Sequence, residues 1–430
     1  MYLEVTETSG QMKVYMESYG CSVNQADGEM MLGLLKKNGF EIVNSVNESD
    51  INIINTCIVK TPTENRMRYR IKKLYLTRKP LIVTGCMPKT QKNTIEKIAP
   101  KASLIGPDSI SSISDAVKKS LLTEKFVLTK DLRKPKVCLP RVRKNPVIDI
   151  CEISTGCMAN CAFCEVKYAK GKLFSYPVDK IVEEIKIGLK EGCKEIWITS
   201  QDCGCWGFDK GKTLPELLNK ICEIKEKFFI RVGMMNPIHL KGILNELLYL
   251  YQNEKIFKFL HLPVQSGSNK ILKKMNRGYT VTDFNNIVEN FRNEFRSLTL
   301  STDIIVGFPD ETEKDFQMTL DLIKKVKPDI VNVSKFGARP GTKAAKMEQL
   351  PVNVINRRSR VLMNTVKKIQ LDQNKKWVGW KGKILIDEIK NKNVIGRNFA
   401  YKPIVLKDGK LGEFKEVKIK TVSSTSLFGI

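Results

Sequence analysis

Gly156-Cys157-Met158-Ala159-Asn160-Cys161-Ala162-Phe163-Cys164 spaces three cysteines as C-x3-C-x2-C, immediately after the strand-like run Val147–Ile153. Three thiolates on one tight loop can hold three irons of a 4Fe-4S cluster and leave the fourth iron without a protein ligand. An iron left open is a place for chemistry. A zinc knuckle would need a fourth Cys or His nearby, and Cys151, on the strand before the loop, is poorly placed to serve. Buried structural thiols are the remaining reading.

Downstream of the loop, strand-like runs recur with helical segments between them: Glu195–Thr199, Phe228–Val232, Phe257–Leu262, Thr299–Val306 and Asp329–Val333. With Val147–Ile153 they make about six βα units, which predicts a partial or full parallel (β/α) barrel over residues 147–371. The cysteine loop then sits at the carboxyl end of the first strand, on the face where such barrels carry their chemistry. A basic helix is expected over Val352–Lys375. From there to Ile430 short alternating strands and turns such as Lys407-Asp408-Gly409-Lys410 predict a small antiparallel β-barrel, residues 372–430.

Upstream, residues 12–122 read as a Rossmann-like α/β domain with parallel strands at Lys13–Glu17, Ile51–Asn55 and Pro80–Thr84 and helices at Gly28–Lys37 and Ser111–Leu121. Each of these strands is followed within a few residues by a cysteine: Cys21, Cys57 and Cys86. Ligand sites in open α/β sheets collect at the carboxyl ends of strands, so three separated cysteines could converge on one point. Taken alone, dispersed cysteines are more often buried small residues than ligands. The basic, proline-containing stretch 123–146 has little periodicity and reads as a linker. The fold class is therefore α/β throughout, with a terminal β-barrel.

Lys and Arg number 73 against 46 Asp and Glu, a formal charge of +27 spread over the whole length. That excess points to a polyphosphate partner such as nucleic acid, with a solvated basic surface as the bland alternative. No apolar run approaches a membrane span, and residues 1–12 show no secretory pattern, so a cytoplasmic address and no membrane partner are expected. The 12 cysteines are then better explained by metal ligation or buried thiols than by disulfides.

The cysteine loop, with an aromatic residue before its last cysteine, resembles the radical S-adenosylmethionine (SAM) signature. Along nearly its full length the chain is similar to the methylthiotransferase family, through Gly20-Cys21-Ser22-Val23-Asn24, Asn55-Thr56-Cys57, Thr84-Gly85-Cys86, Pro263-Val264-Gln265-Ser266-Gly267-Ser268 and Asp303-Ile304-Ile305-Val306-Gly307-Phe308-Pro309. Val166 to Pro177 and Arg339-Pro340-Gly341-Thr342 resemble the archaeal and eukaryotic threonylcarbamoyladenosine branch, with lysine at Lys170 and phenylalanine at Phe174 where arginine is expected. The resemblance implies two 4Fe-4S clusters, one on Cys157, Cys161 and Cys164 that cleaves SAM, and one on Cys21, Cys57 and Cys86 that holds the sulfur to be transferred. It implies methylthiolation of N6-threonylcarbamoyladenosine at position 37 of tRNA, in the anticodon loop, with an electron donor such as ferredoxin or flavodoxin. The alternatives are methylthiolation of isopentenyladenosine in tRNA or of a ribosomal protein aspartate, and a non-enzymatic iron–sulfur RNA-binding protein. The terminal barrel resembles the TRAM RNA-binding domain.

Individual residues stand out beside these motifs. Gln201 and Asp202 would lie on the barrel rim, Asp202 equally as a helix cap. Asp303, inside an apolar strand, needs a partner or a ligand. Gly307 permits close approach of an adenosine, and Phe163 lies near the cofactor's adenine or fills core. These give Phe163, Gln201, Asp303 and Gly307 as cofactor-binding candidates. Arg397, Tyr401 and Lys402 are the RNA-binding candidates on the terminal barrel. Cys203 and Cys205 read as packing, and His239 and His261 as satisfied polar residues.

Overall fold

The computed structural model describes residues 11–430, in two compact units. The first runs to Lys144 and includes Tyr168–Lys170; the second holds Asn145–Lys167 and Gly171–Ile430.

In the first unit, six parallel strands, β1 (Lys13–Ser18), β2 (Glu41–Val43), β3 (Ile51–Thr56), β4 (Leu81–Gly85), β5 (Ser103–Ile105) and β6 (Val127–Leu128), are ordered β2-β1-β3-β4-β5-β6. Every residue of β3 and β4 is buried, as befits central strands covered on both faces by helices. On one side Met67, Ile71 and Leu74 of the helix Thr61–Tyr75 and Ile95 of Lys92–Ile98 pack on Ile54, Val83 and Leu104. The order places the carboxyl ends of β1, β3 and β4 side by side, and these are the ends that carry Cys21, Cys57 and Cys86.

The stretch 123–146, expected to be a linker, contributes β6, which pairs with β5. Beyond β6 the chain is tied to the helix Ser22–Lys37: Lys136 pairs with buried Asp27, and Val142 N–H donates to Glu29 O at 3.0 Å. These bonds go to single side chains and carbonyls, so they leave no periodic trace in the sequence.

The second unit begins with β7 (Ile148–Glu152), β8 (Ser154–Thr155), β9 (Phe174–Ser175), β10 (Glu195–Thr199), β11 (Phe229–Val232), β12 (Phe259–His261), β13 (Thr299–Val306) and β14 (Ile330–Lys335). Parallel ladders join β7, β10 and β11, and β12, β13 and β14, and a parallel bridge between Ile230 and Ile256 links the two sets. Among the described residues no ladder joins β14 to β7, so the barrel is partial. β8 and β9 pair antiparallel and pinch together the two ends of the cysteine loop. Gly156, at φ +77°, lets that loop cross the chain closely, since a Cβ there would strike Lys172 O.

After the helix Val352–Lys375, β15 (Lys381–Lys390), β16 (Asn393–Arg397), β17 (Pro403–Leu406), β18 (Phe414–Val422) and β19 (Leu427–Gly429) close a barrel in the order β15-β16-β17-β19-β18. All its ladders are antiparallel except β17 with β19. Ile384, Ile386, Ile404, Ile419 and Leu427 fill it, with Trp377 packed at one end.

Tyr401 and Lys402 are buried rather than facing solvent as an RNA surface would, and Arg397 is only partly exposed. Tyr401 is buried between Phe257 and Phe259 of the half-barrel, and the Arg231 and Arg397 guanidinium groups lie over its ring. Arg397 Nε donates to Asp387 Oδ2 at 3.0 Å, and Lys402 Nζ donates to Asp329 Oδ1 at 2.6 Å and to Asn374 Oδ1 at 3.0 Å. Tyr401 and Lys402 fasten the terminal barrel to the half-barrel, and Arg397 braces Tyr401 from within the terminal barrel. Basic and aromatic side chains serve an RNA face and a domain junction equally, so composition could not separate the two.

Removing one partner of a buried ion pair costs about 3–5 kcal/mol, against at most about 1 kcal/mol for an exposed pair. Lys402→Met is therefore expected to lower the free energy of urea unfolding by roughly 3 kcal/mol, while Arg357→Met, in an exposed pair with Glu313, leaves it nearly unchanged.

Candidate active site

The cysteine loop holds its three thiols in one neighbourhood. Cys164 N–H donates to Cys161 O at 3.2 Å, and Ala159 N–H donates to Cys157 Sγ at 3.3 Å. Burial pushes the Cys164 thiol up to about 11, and the neighbouring Cys161 and Cys157 sulfurs add to that rise. The Cys205 S–H donates to Asp202 O at 3.3 Å, and the Cys205 thiol beside Cys157 holds the Cys157 thiol below its ordinary range. Cys205, expected to be ordinary packing, thus touches a candidate ligand, whereas buried Cys203 fits the packing role, its S–H directed at Ile198 O.

Asp202 acts as a cap and as a bracket. Its Oδ1 accepts Gly204 N–H at 3.0 Å and Asn236 N–H at 3.1 Å, and its Oδ2 lies 2.8 Å from His239 Nδ1. Burial pulls His239 toward its neutral form, but the Asp202 carboxylate outweighs this and raises its pKa. Asp202, Cys205 and His239 bring ligand-type atoms within 4.8 Å of one another. Since both Asp202 oxygens are already engaged, the group is a hydrogen-bonded bracket beside the loop.

The cofactor candidates occupy different surroundings. The buried Oε1 of Gln201, after β10, has no hydrogen-bond partner, and neither has Oε1 of Gln265, which follows β12 at φ +71°. Two orphaned acceptors at strand carboxyl ends are the mark of a polar ligand surface. Gln265 stands within a sequence motif that gives it no role of its own, and its left-handed backbone is invisible in sequence. Asp303 Oδ1 accepts Asn332 Nδ2–H at 2.8 Å and its Oδ2 lies 3.1 Å from His261 Nε2, so three adjacent strands share one polar cluster. Phe163 is half-buried against Phe308, Ile271 and Ala344. Gly307, at φ +79°, presents its missing Cβ to Ile355 at 2.5 Å; here close helix packing and a left-handed turn require the glycine.

The N-terminal cysteines meet at the three adjacent strand ends. Cys21 precedes the helix Ser22–Lys37 and Cys86 precedes Met87–Thr90, while Cys57 directly follows β3. Asn24 Nδ2 bridges Tyr19 O at 2.9 Å and Thr56 O at 2.7 Å, and Cys86 N–H donates to Thr56 O at 3.1 Å. Burial pushes the Cys86 thiol up to about 12; the Lys170 ammonium opposes this, and the Cys21 and Cys57 sulfurs add to it. Gly20, at φ +112°, leaves room for Cys57, whose Sγ a Cβ would meet at 2.9 Å.

Each group offers three thiols at strand ends. That donor set suits a 4Fe-4S cluster with one iron left open, and at the loop a buried guanidinium, Arg277, donates to Cys161 Sγ at 3.0 Å. Nothing in the spacing of the sequence singles out Arg277.

Residues 13–106 match the Uncharacterized protein family UPF0004, and residues 151–323 match the Radical SAM superfamily. Among solved structures, the radical S-adenosylmethionine methyltransferase TsrM from Kitasatospora setae superposes with a TM-score of 0.58 at 14% identity, over 78% of this chain and 75% of that one. Half-barrel, loop and match together define a radical SAM protein. A probable threonylcarbamoyladenosine tRNA methylthiotransferase of Pyrococcus horikoshii is 46% identical over 97% of this chain and 99% of its own length. One from Methanocaldococcus jannaschii is 42% identical over 100% and 99%, and the human threonylcarbamoyladenosine tRNA methylthiotransferase 35% identical over 95% and 72%. The chain belongs to the threonylcarbamoyladenosine tRNA methylthiotransferase family.

Gly20→Ala is expected to spoil the N-terminal thiol group, so that iron retained after anaerobic reconstitution falls by roughly half. Gly39→Ala is the control for backbone strain, because Gly39 also has a left-handed φ of +83° but nothing within 4 Å of its missing Cβ; its iron content should be unchanged.

Proposed function

We propose that this chain converts N6-threonylcarbamoyladenosine at position 37 of tRNA to its 2-methylthio derivative. The observation that carries this reading is the pair of separate three-thiol groups, each at strand carboxyl ends, in a chain akin over its full length to enzymes named for this reaction. An adenine C–H bond offers no acidic proton and no leaving group, so acid–base groups alone give little purchase on it. When bound, a cluster on Cys157, Cys161 and Cys164 would supply the electron that cleaves SAM to a 5′-deoxyadenosyl radical, and one on Cys21, Cys57 and Cys86 the sulfur. A one-electron protein such as a ferredoxin or flavodoxin would be the reductant.

The chain's own residues have three tasks in this scheme. Gln201 and Gln265 turn unpartnered amide oxygens toward donors of the bound cofactor. Asp303, held by His261 and Asn332, fixes a polar surface across β12, β13 and β14. Asp202 keeps His239 and the start of the Cys203–Cys205 turn in place beside the loop. The target base lies in a loop of tRNA, where it can be splayed out of its stack.

With Tyr401 and Lys402 buried and Arg397 engaged by Asp387, the RNA contact is better assigned to a cleft of about 480 Å³ where the half-barrel meets the terminal barrel. Arg292, Arg296, Lys325, Lys327, Lys376 and Trp380 line it. Arg292 is already engaged, donating to Val326 O and Lys327 O, whereas Arg296 and Lys376 are exposed. Trp380 packs edge-on to Trp377 and lies near half-exposed Phe399, so cations and rings adjoin as single-stranded RNA requires.

Two measurements test these assignments. Nucleoside mass spectrometry of tRNA from cells lacking the modification should show 2-methylthio-threonylcarbamoyladenosine when this gene is supplied and none with Cys161→Ala; persistence of the unthiolated nucleoside beside cluster-loaded protein would return the isopentenyladenosine, protein-aspartate and binding-only readings. Arg296→Glu with Lys376→Glu should weaken tRNA binding and flatten its dependence on salt by roughly 0.7–0.9 in log K against log salt for each phosphate no longer neutralised. An unchanged slope would move the RNA face elsewhere.

A further inference from the structure

Arg277 is 7% exposed, and each nitrogen of its guanidinium is committed. Nη1 donates to Cys161 Sγ at 3.0 Å, Nη2 to Asn236 Oδ1 at 3.1 Å, and Nε to Tyr279 Oη at 3.1 Å. Asn236 and Tyr279 are neutral and themselves buried. Among the described residues no carboxylate pairs with Arg277. A guanidinium taken out of water without a counter-charge is strongly disfavoured, so the site calls for an anion; Tyr279 keeps its proton for Pro263 O and Val264 O, and Cys161 is the partner that is a thiolate when it ligates iron.

The backbone around Arg277 is built for this contact. The helix Asn269–Lys274 ends, and Asn276, at φ +57°, turns the chain back on the cysteine loop. Met275 O then accepts Ala162 N–H at 2.9 Å, Asn276 Nδ2 donates to Asn160 O at 2.7 Å, and Arg277 reaches Cys161. Three consecutive residues are stitched to three consecutive residues of the loop. Tyr279 is pinned in turn, its hydroxyl 3.0 Å from Pro263 O and 2.9 Å from Val264 O. The fork is set before any ligand arrives, which is where Arg differs from a mobile lysine ammonium.

We propose that Arg277 is the fixed counter-ion of the Cys161 thiolate and sets how readily a cluster on Cys157, Cys161 and Cys164 accepts its electron. This rests on the proposed function. Uptake of one electron from the reductant adds one negative charge and no proton. A buried cation bonded to a ligand sulfur stabilises the reduced state more than the oxidised one, and hydrogen bonds to sulfur act in the same sense. Arg277 is thus a positioning residue, acting through Cys161.

The test uses the full chain with Cys21, Cys57 and Cys86 all changed to alanine, reconstituted anaerobically, so that one cluster titrates. EPR-monitored redox titration without SAM gives its midpoint potential. Arg277→Gln is expected to lower the reduced-to-oxidised ratio at a fixed potential about tenfold, a shift of 59 mV for a one-electron couple. Arg277→Lys, which keeps the charge but loses the fork, should shift it about threefold, and it carries the test if Arg277→Gln takes up no iron. Equal potentials in all three chains overturn the inference, and equal potentials with weaker SAM binding would assign the cation to the cofactor's carboxylate. Failure of the Arg277 chain itself to form a 4Fe-4S cluster would instead overturn the proposed function on which the inference rests.

Discussion

Parallel strands deliver their carboxyl ends to one edge of a sheet, and both thiol groups of this chain depend on that constraint. In the first unit the order β2-β1-β3-β4-β5-β6 makes β1, β3 and β4 neighbours, so Cys21, Cys57 and Cys86 meet although the first and last stand 65 positions apart. In the second unit one strand end carries all three cysteines, the next strand's end supplies Gln201 and Asp202, and the end of β12 supplies Gln265. The same edge is where loops are free to vary without disturbing the sheet, which is why chemistry collects there.

Bringing sulfur so close to backbone demands local exceptions. Gly20 lies where any Cβ would overlap Cys57, and Gly156 where it would strike Lys172 O. The network of Asn24, Asn55 and Thr56 takes over where the ladders of β1, β3 and β4 end: Asn55 Nδ2 donates to Asn24 O at 2.7 Å, and Thr56 Oγ1 to Thr84 O at 2.6 Å. A rigid frame of this kind holds ligands ready before a metal arrives, which lowers the ordering cost of binding.

Charge is handled in two ways. The excess of Lys and Arg is largely solvent-facing, but a minority of cations is buried against specific anions. Lys136 and Lys170 both reach Asp27, Arg358 reaches Glu311 at 2.9 Å, and Lys402 reaches Asp329. Lys170 stands where arginine was expected, and its compact ammonium suits a site that asks for one contact with Asp27 Oδ2 at 3.2 Å and that it shares with Lys136. Buried pairs of this kind fix arrangement more than they add stability. Arg277 differs from these, a buried cation facing sulfur.

By itself the sequence determined the class of the main elements and the chemistry at stake. Alternating apolar runs and helices announce parallel sheets, the helix Val352–Lys375 is visible from its pattern, and the C-x3-C-x2-C loop and the three strand-end cysteines name the ligand types, because periodicity and spacing are local properties. Tertiary structure alone decided the rest. It placed β6 inside the supposed linker, made Tyr401 and Lys402 fasteners between barrels with Arg397 bracing Tyr401, and set Cys205 beside Cys157 and Arg277 against Cys161. Those facts concern which side chain meets which across dozens of residues or more. Burial and hydrogen-bond geometry settle such meetings, and neither is written in the order of the residues.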